Sequence, residues 1–229
     1  MAATLAPPHV PAALGRELAA TVAALRQVTV LVRTRGAGAG AGVVWDARGL
    51  VITNAHVARG DEVTVRFSDG SSAPARVVAR DRQRDLAALE LDPPGPLAAA
   101  VLRVPPGLRV GDLVLAVGHP GGHAGAVTLG ILHASDHANG SEPRWVRADV
   151  RLAPGYSGGP LADVAGRVVG INTLIYGGLA LAVPVAAVET WLRAARQAPR
   201  RARPRAPSRG GVAGRGNGAA PGSPSRAPS

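Results

Sequence analysis

A serine stands between glycines in Ala153-Pro154-Gly155-Tyr156-Ser157-Gly158-Gly159-Pro160-Leu161. Glycine on both sides lets the backbone turn sharply, leaves the hydroxyl accessible and allows main-chain N–H groups to converge on one point. A serine hydroxyl is a weak nucleophile at neutral pH. It needs a base within hydrogen-bond reach, and that base needs a carboxylate to hold its tautomer and stabilise the imidazolium. His56, in Thr53-Asn54-Ala55-His56-Val57 at the end of an apolar run, is the candidate base. Asp85 lies in Arg84-Asp85-Leu86-Ala87-Ala88-Leu89, directly before a buried-looking strand where a carboxylate is fixed and partly desolvated; Asp81 is the rival acid. The plainer readings are a histidine packed at a barrel rim, an aspartate paired to Arg82 or Arg84, and a serine in an ordinary turn.

Taken alone, Gly155–Gly159 also fits the G-x-S-x-G nucleophile elbow of α/β-hydrolases. Chain order decides between the two arrangements. In an α/β-hydrolase the acid and then the histidine follow the serine, and the last histidine of this chain is His137, before Ser157. Histidine, acid, serine is instead the chymotrypsin-type order.

The elements that must carry these residues read mostly as strands. Leu14, Leu18, Val22 and Leu25 form one apolar helical stripe that ends near Gln27, after a loose leader over residues 1–11. Val28–Val32 is β-branched and reads as a strand. Gly36–Gly42 alternates with alanine and reads as a loop leading into Val43-Val44-Trp45. Leu50–Thr53 is the strand that delivers His56. Val63–Phe67 and Ala75–Ala79 form a hairpin around Ser68-Asp69-Gly70-Ser71, and Leu86–Leu91 follows Asp85. Pro93-Pro94-Gly95-Pro96 and Pro105-Pro106-Gly107 bracket a crossing between halves. Further strands are expected at Leu113–Val117, Val127–His133, Trp145–Val150, Val168–Thr173 and Leu179–Val183, and a helix from Pro184 with Val188, Trp191, Leu192 and Ala195 on one face. Regular strand spacing with Gly/Pro turns argues for an all-β sandwich or barrel.

Composition bounds the rest. Two hundred and twenty-nine residues suffice for a sizeable core in one all-β domain. No run of about 18 apolar residues is present, so no membrane-spanning helix is expected. The N-terminus lacks the basic start and apolar run of a secretory signal; the chain reads as cytoplasmic, or as periplasmic or extracellular if a leader is missing. With no cysteine, neither disulfides nor a thiol nucleophile are available. All 26 basic residues are arginine, and seven of them lie from Arg200 onward with no acid, leaving about +4 of the net +11 on the rest. Residues 199–229 cannot offset their ordering entropy and are expected to be disordered. Arginines there are able to meet nucleic acid or an anionic surface, but no aromatic residue stacks on bases, and a solvated terminus is expected.

The three segments Thr53–Val57, Asp85-Leu86-Ala87 and Pro154–Leu161 resemble the signature blocks of trypsin-like serine peptidases of the HtrA/Deg type. Gly118-His119-Pro120-Gly121-Gly122 and Leu181-Ala182-Val183-Pro184 are similar to that family's Gly-Asn-Pro and Phe-Ala-Ile-Pro segments. The likeness covers roughly residues 28–195. It implies a double six-stranded β-barrel with the site in the cleft: a first barrel over about 28–98, a second over about 105–185 and a terminal helix over 185–198, within a protease domain 12–198. It implies Ser157 as nucleophile, His56 as general acid/base, Asp85 as orienter, and backbone N–H groups of Gly155, Tyr156 and Ser157 as the oxyanion site. The substrates implied are proteins or peptides, and no cofactor is needed; oligomeric state is not fixed. Family members usually carry PDZ domains after the protease, and a 199–229 tail stands in that place here. Tyr156 replaces the usual Asn and is not the Asp of zymogen-activated trypsins, so no activation by N-terminal cleavage is expected.

By alignment of the resemblance on the serine, Arg151 falls where the base of the primary specificity pocket would be, and Ala180, Leu181 and Ala182 on its wall; Leu152 is counted with them as substrate-binding. Either Arg151 faces solvent over a small aliphatic pocket, or its guanidinium favours an acidic substrate side chain. His119, His123, His133 and His137 form two i,i+4 pairs, but Pro120-Gly121-Gly122 forbids a helix through the first, and no metal site is expected.

Overall fold

The apolar stripe near the N-terminus forms helix α1 (Ala12–Val28), and only its second half is packed: Leu25 is buried whereas Leu14 is exposed. The computed structural model describes residues 12–36, 38–92, 96–103, 108–135 and 145–197. The leader 1–11, the tail 199–229, His137 and most of the proline punctuation lie outside them.

After α1 the chain makes β1 (Thr29–Arg33), β2 (Ala39–Val44), β3 (Leu50–Thr53), β4 (Glu62–Arg66), β5 (Ser72–Asp81) and β6 (Leu86–Leu91). They close into an antiparallel barrel in the order β1-β2-β3-β6-β5-β4. The second half repeats the plan with β7 (Leu113–Gly118), β8 (Ala126–Ser135), β9 (Val146–Asp149), β10 (Pro160–Asp163), β11 (Val168–Tyr176) and β12 (Leu179–Pro184), closed as β10-β11-β12-β9-β8-β7. Helix α2 (Val185–Gln197) ends the described chain. This is the double six-stranded barrel that the resemblance implied.

Alternation along the strands creates three apolar cores. Val30, Val32, Val51, Val65 and Leu89 fill the first barrel, and Val114, Ala116, Leu132, Leu161 and Tyr156 the second. Between the barrels Leu25, Ile52, Leu86, Leu115, Val117 and Ile171 meet α2 residues Val188 and Leu192. Fully burying one such side chain is worth roughly 1.5–3 kcal/mol, so this interface holds the two barrels, and with them the cleft, in one arrangement. Trp45 Nε1 donates to Glu189 Oε1 at 2.6 Å and fastens α2 back onto the first barrel. The crossing segment is stitched to both: Ala100 N–H donates to Val44 O, and Arg103 N–H to Val168 O. Its Arg103 also pairs with the buried carboxylate of Asp163 at 2.9 Å, which Arg167 shares at 2.8 Å.

Three local expectations are corrected. The Gly/Ala run is not a loop: Ala39–Val44 is β2, paired with β1 from Thr29↔Val43 to Arg33↔Ala39. Its glycines answer to close approach, not to flexibility; a Cβ at Gly42 would stand 2.9 Å from the side chains of Val32 and Val51. Strand β10, directly after the serine, was not anticipated, because its four residues begin on a proline. Pro184 is the last residue of β12, opposite Gly170, and the helix starts one residue later.

Candidate active site

Each of the three chemical residues sits at the mouth of a strand. His56 follows β3, and Asp85 precedes β6, the strand paired with β3 from Thr53↔Ala87 to Leu50↔Glu90. That pairing alone brings the two together. His56 Nδ1 and Asp85 Oδ2 are 2.6 Å apart, and the His56 N–H donates to Asp85 Oδ1 at 2.9 Å. The Asp85 carbonyl accepts from Asn54 Nδ2 at 2.9 Å and from the Ala55 N–H at 3.1 Å. Asp85 is, among the described residues, the one non-glycine with positive φ, at 57°. Such a conformation persists where the surroundings impose it and clusters at functional sites. Asp81 is occupied elsewhere, capping its own turn and pairing with Arg84 at 2.8 Å.

Burial pushes the Asp85 carboxyl up, but hydrogen bonds from the His56 ring, the Thr173 hydroxyl and the His56 N–H outweigh it and hold the group below its ordinary value. It is therefore an anion at neutral pH. An anion against Nδ1 favours the tautomer that carries its proton on that nitrogen.

Ser157 comes from the second barrel, on the turn before β10. Gly158 has φ 85°, and a Cβ there would overlap the Ala41 carbonyl oxygen and the Thr53 hydroxyl. The turn is held from several sides. Ala41 N–H donates to Ser157 O at 2.8 Å, Gly158 N–H to Asn172 O at 2.8 Å, and His119 N–H to Gly155 O at 3.0 Å. Tyr156 anchors it from within, its ring buried in the core of the second barrel. Ser157 Oγ donates to the Thr173 carbonyl at 3.2 Å, and Thr173 Oγ1 donates to Asp85 Oδ2 at 2.7 Å. One residue of β11 thus touches the serine with its backbone and the aspartate with its side chain.

The amides around the serine divide. Tyr156 N–H donates to Ala153 O at 3.1 Å, which takes it out of the expected oxyanion set. Among the described residues, the N–H groups of Gly155 and Ser157 have no acceptor, which leaves both donors available. Of the pocket residues, Arg151 is exposed, Leu152 is half-buried, and Ala180, Leu181 and Ala182 are buried. His119 is buried as well, its Nδ1 accepting from the Gly125 N–H at 3.2 Å; burial pushes this imidazole down and keeps it neutral. Its backbone N–H is the donor to Gly155 O that ties it to the serine turn, while His123 and His133 are exposed.

Sequence reasoning missed Thr173 and Asn54. Thr173 is one more β-branched residue in an apolar strand, and nothing in its type separates a buried hydrogen-bonding threonine from a strand former. Asn54 had a signal, a polar side chain at the end of an apolar run beside the histidine.

Comparison with known proteins agrees with this geometry. A family model described as trypsin-like peptidase domain matches residues 40–171. A probable periplasmic serine protease do/HhoA-like of Haemophilus influenzae is 36% identical over 159 residues, covering 64% of this chain and 34% of that protein. A probable periplasmic serine endoprotease DegP-like of Pseudomonas savastanoi pv. phaseolicola is 39% identical over 155 residues, covering 64% and 32%. The chain thus spans about a third of the length of these curated relatives. Among solved structures, an HtrA-type protease AlgW with decapeptide superposes with a TM-score of 0.70 at 26% identity, over 79% of this chain and 68% of that one. Since the family model takes in more than half of the sequence and the relatives are of the HtrA/Deg type, the chain belongs to the trypsin-like peptidase family.

Proposed function

We propose that the chain is a serine endopeptidase, cutting peptide bonds of protein substrates with Ser157 as nucleophile, His56 as general acid/base and Asp85 as orienter. The observation that supports the reading is Thr173: its carbonyl accepts from the Ser157 hydroxyl, and its own hydroxyl donates to Asp85, the carboxylate beside His56 Nδ1. The hydroxyl turns from the Thr173 carbonyl toward His56 Nε2 and gives up its proton there as Oγ attacks the substrate carbonyl. Gly155 and Ser157 N–H groups receive the oxyanion. The imidazolium, stabilised by Asp85, then protonates the departing amine and leaves an ester on Ser157. Water attacks that ester, its proton passing to His56; the imidazolium then returns that proton to Oγ as the acyl C–Oγ bond breaks, and the acid product leaves with Ser157 and His56 restored.

With Arg151 exposed and Ala180, Leu181 and Ala182 buried, the primary pocket is read as one for a small aliphatic side chain. The peptidase unit is assigned to residues 12–198. Two relatives are named as periplasmic, and they favour a compartment outside the cytoplasm over the cytoplasmic reading; among the described residues no helix is long and apolar enough to cross a membrane. The neighbour carrying a decapeptide supports a peptide ligand.

A fluorophosphonate probe tests the proposal directly. Intact-mass analysis should show one adduct, mapped to Ser157, and Ser157→Ala should abolish both labelling and peptide turnover. A folded protein that is never labelled, or turnover that survives Ser157→Ala, overturns it.

A further inference from the structure

Beside His56 lies a cavity of about 430 Å³ lined by Ala55, His56, Arg59, Arg80, Arg82 and Asp85. Three guanidinium groups face it against one carboxylate. That carboxylate is committed: both Asp85 oxygens accept hydrogen bonds, from the His56 N–H, the His56 ring and Thr173. Asp81, the nearest other acid in sequence, is turned into its own loop and paired with Arg84. The arginines are held at different degrees. Arg59 Nε donates to His56 O at 2.9 Å, and Arg80 Nη2 donates to Ala58 O at 2.7 Å and Gly60 O at 2.8 Å. Arg80 Nε is buried with no partner. Arg82 is exposed and has no hydrogen bond or ion pair among the described residues. Two arginines are thus pinned by backbone carbonyls with donors to spare, and a third is free to close on a ligand.

We infer that this cavity is a subsite for an acidic substrate side chain, with Arg82 as its principal ion-pair partner and Arg59 and Arg80 supplying fixed positive charge. The inference rests on the proposed peptidase reading and adds a substrate class to it. A guanidinium with no intramolecular acceptor meets a carboxylate in a bidentate, charge-assisted geometry that neither neutral nor basic side chains offer. Because His56 itself forms one wall, the side chain bound here belongs to a residue next to the scissile bond. The primary pocket proposed above draws its residues, Arg151 and Ala180 to Ala182, from the second barrel instead. The preference for acid that Arg151 suggested is thereby moved to the other barrel and to a different substrate position.

The test uses peptides in which a single Glu or Gln is walked through the three positions on each side of one cleavage site. At one position, Glu should raise kcat/KM about tenfold over Gln, the order expected for one charge-assisted pair. In Arg82→Glu that ratio should fall below one and Lys should become preferred; a ratio taken within one variant cancels any general loss of activity. Binding of the same peptides to Ser157→Ala, read by fluorescence anisotropy, should show the same Glu-over-Gln order without turnover. Equal Glu and Gln values at every position, or a preference unmoved by Arg82→Glu, overturn the subsite. Selective Glu binding by Ser157→Ala, together with a wild-type protein that resists the phosphonate probe, would keep the subsite and overturn the peptidase reading.

Discussion

The two barrels share one strand order yet prepare their parts of the site by different physics. The first barrel supplies His56 and Asp85, which hold each other: two hydrogen bonds join them, and the β3–β6 pairing sets their spacing. The second barrel supplies Ser157, whose hydroxyl donates to the Thr173 carbonyl, and whose position comes from a backbone turn too crowded for any side chain at Gly158. Side-chain chemistry fixes His56, and backbone sterics fix Ser157. The two halves should therefore fail in different ways.

Asp85→Asn is the largest test on the first side. The amide keeps the shape but holds the wrong tautomer of His56, so turnover should drop by about 10⁴-fold, the size seen when a triad carboxylate is neutralised. The urea midpoint at neutral pH should move far less, since no core contact is lost. A variant that keeps more than a tenth of wild-type kcat would show that His56 does not depend on this carboxylate.

Gly158→Ala is the matching test on the second side. A methyl group at φ 85° meets the Ala41 carbonyl and the Thr53 hydroxyl across the barrel interface. Strain and overpacking together predict a loss of roughly 2–5 kcal/mol of stability, read from chemical denaturation. Loss of activity with an unchanged midpoint would contradict the steric origin of the turn.

How much of this was readable beforehand follows the same division. His56, Asp85 and Ser157 were legible because each sits in a stretch whose residue types have few other uses. The strands of both barrels were legible where β-branched runs alternate with turns. The Gly/Ala run of β2 was misread, since its reason lies in Val32, Val51 and Val57, side chains of other segments that press on it. Tyr156 as an anchor and Thr173 as a bridge were hidden too: Tyr156 acts by packing into the core of its own barrel, and Thr173 by donating to a partner 88 residues away, and no local pattern encodes either.

Thr173 is where the two modes meet, so Thr173→Val sharpens the comparison at smaller amplitude. The isosteric change keeps the carbonyl that accepts from Ser157 and removes the hydroxyl that donates to Asp85. One lost hydrogen bond to a charged group is worth about 1.5–3 kcal/mol, so kcat should fall about tenfold or somewhat more with KM little changed. An unchanged kcat would make the bridge merely structural.

The smallest effect is on stability against pH, and its sign is fixed by the depressed Asp85 carboxyl. Above the ordinary carboxylate value, folded and unfolded chains both carry the charge, and the hydrogen bonds to Asp85 contribute in full. As pH falls through about 4 the unfolded chain takes up its proton first, so the contribution declines and is gone once the folded group also titrates. Asp85→Asn, which resembles the protonated acid, should therefore be less stable than wild type at pH 7 by an amount that shrinks steadily toward pH 3. Thr173→Val should show a weaker form of the same convergence, because it removes one of the bonds that hold the carboxyl down. Urea midpoints of the three proteins across that range check it. A gap that stays constant to pH 3 would mean that Asp85 is held by packing alone, and the base side would then be built like the nucleophile side.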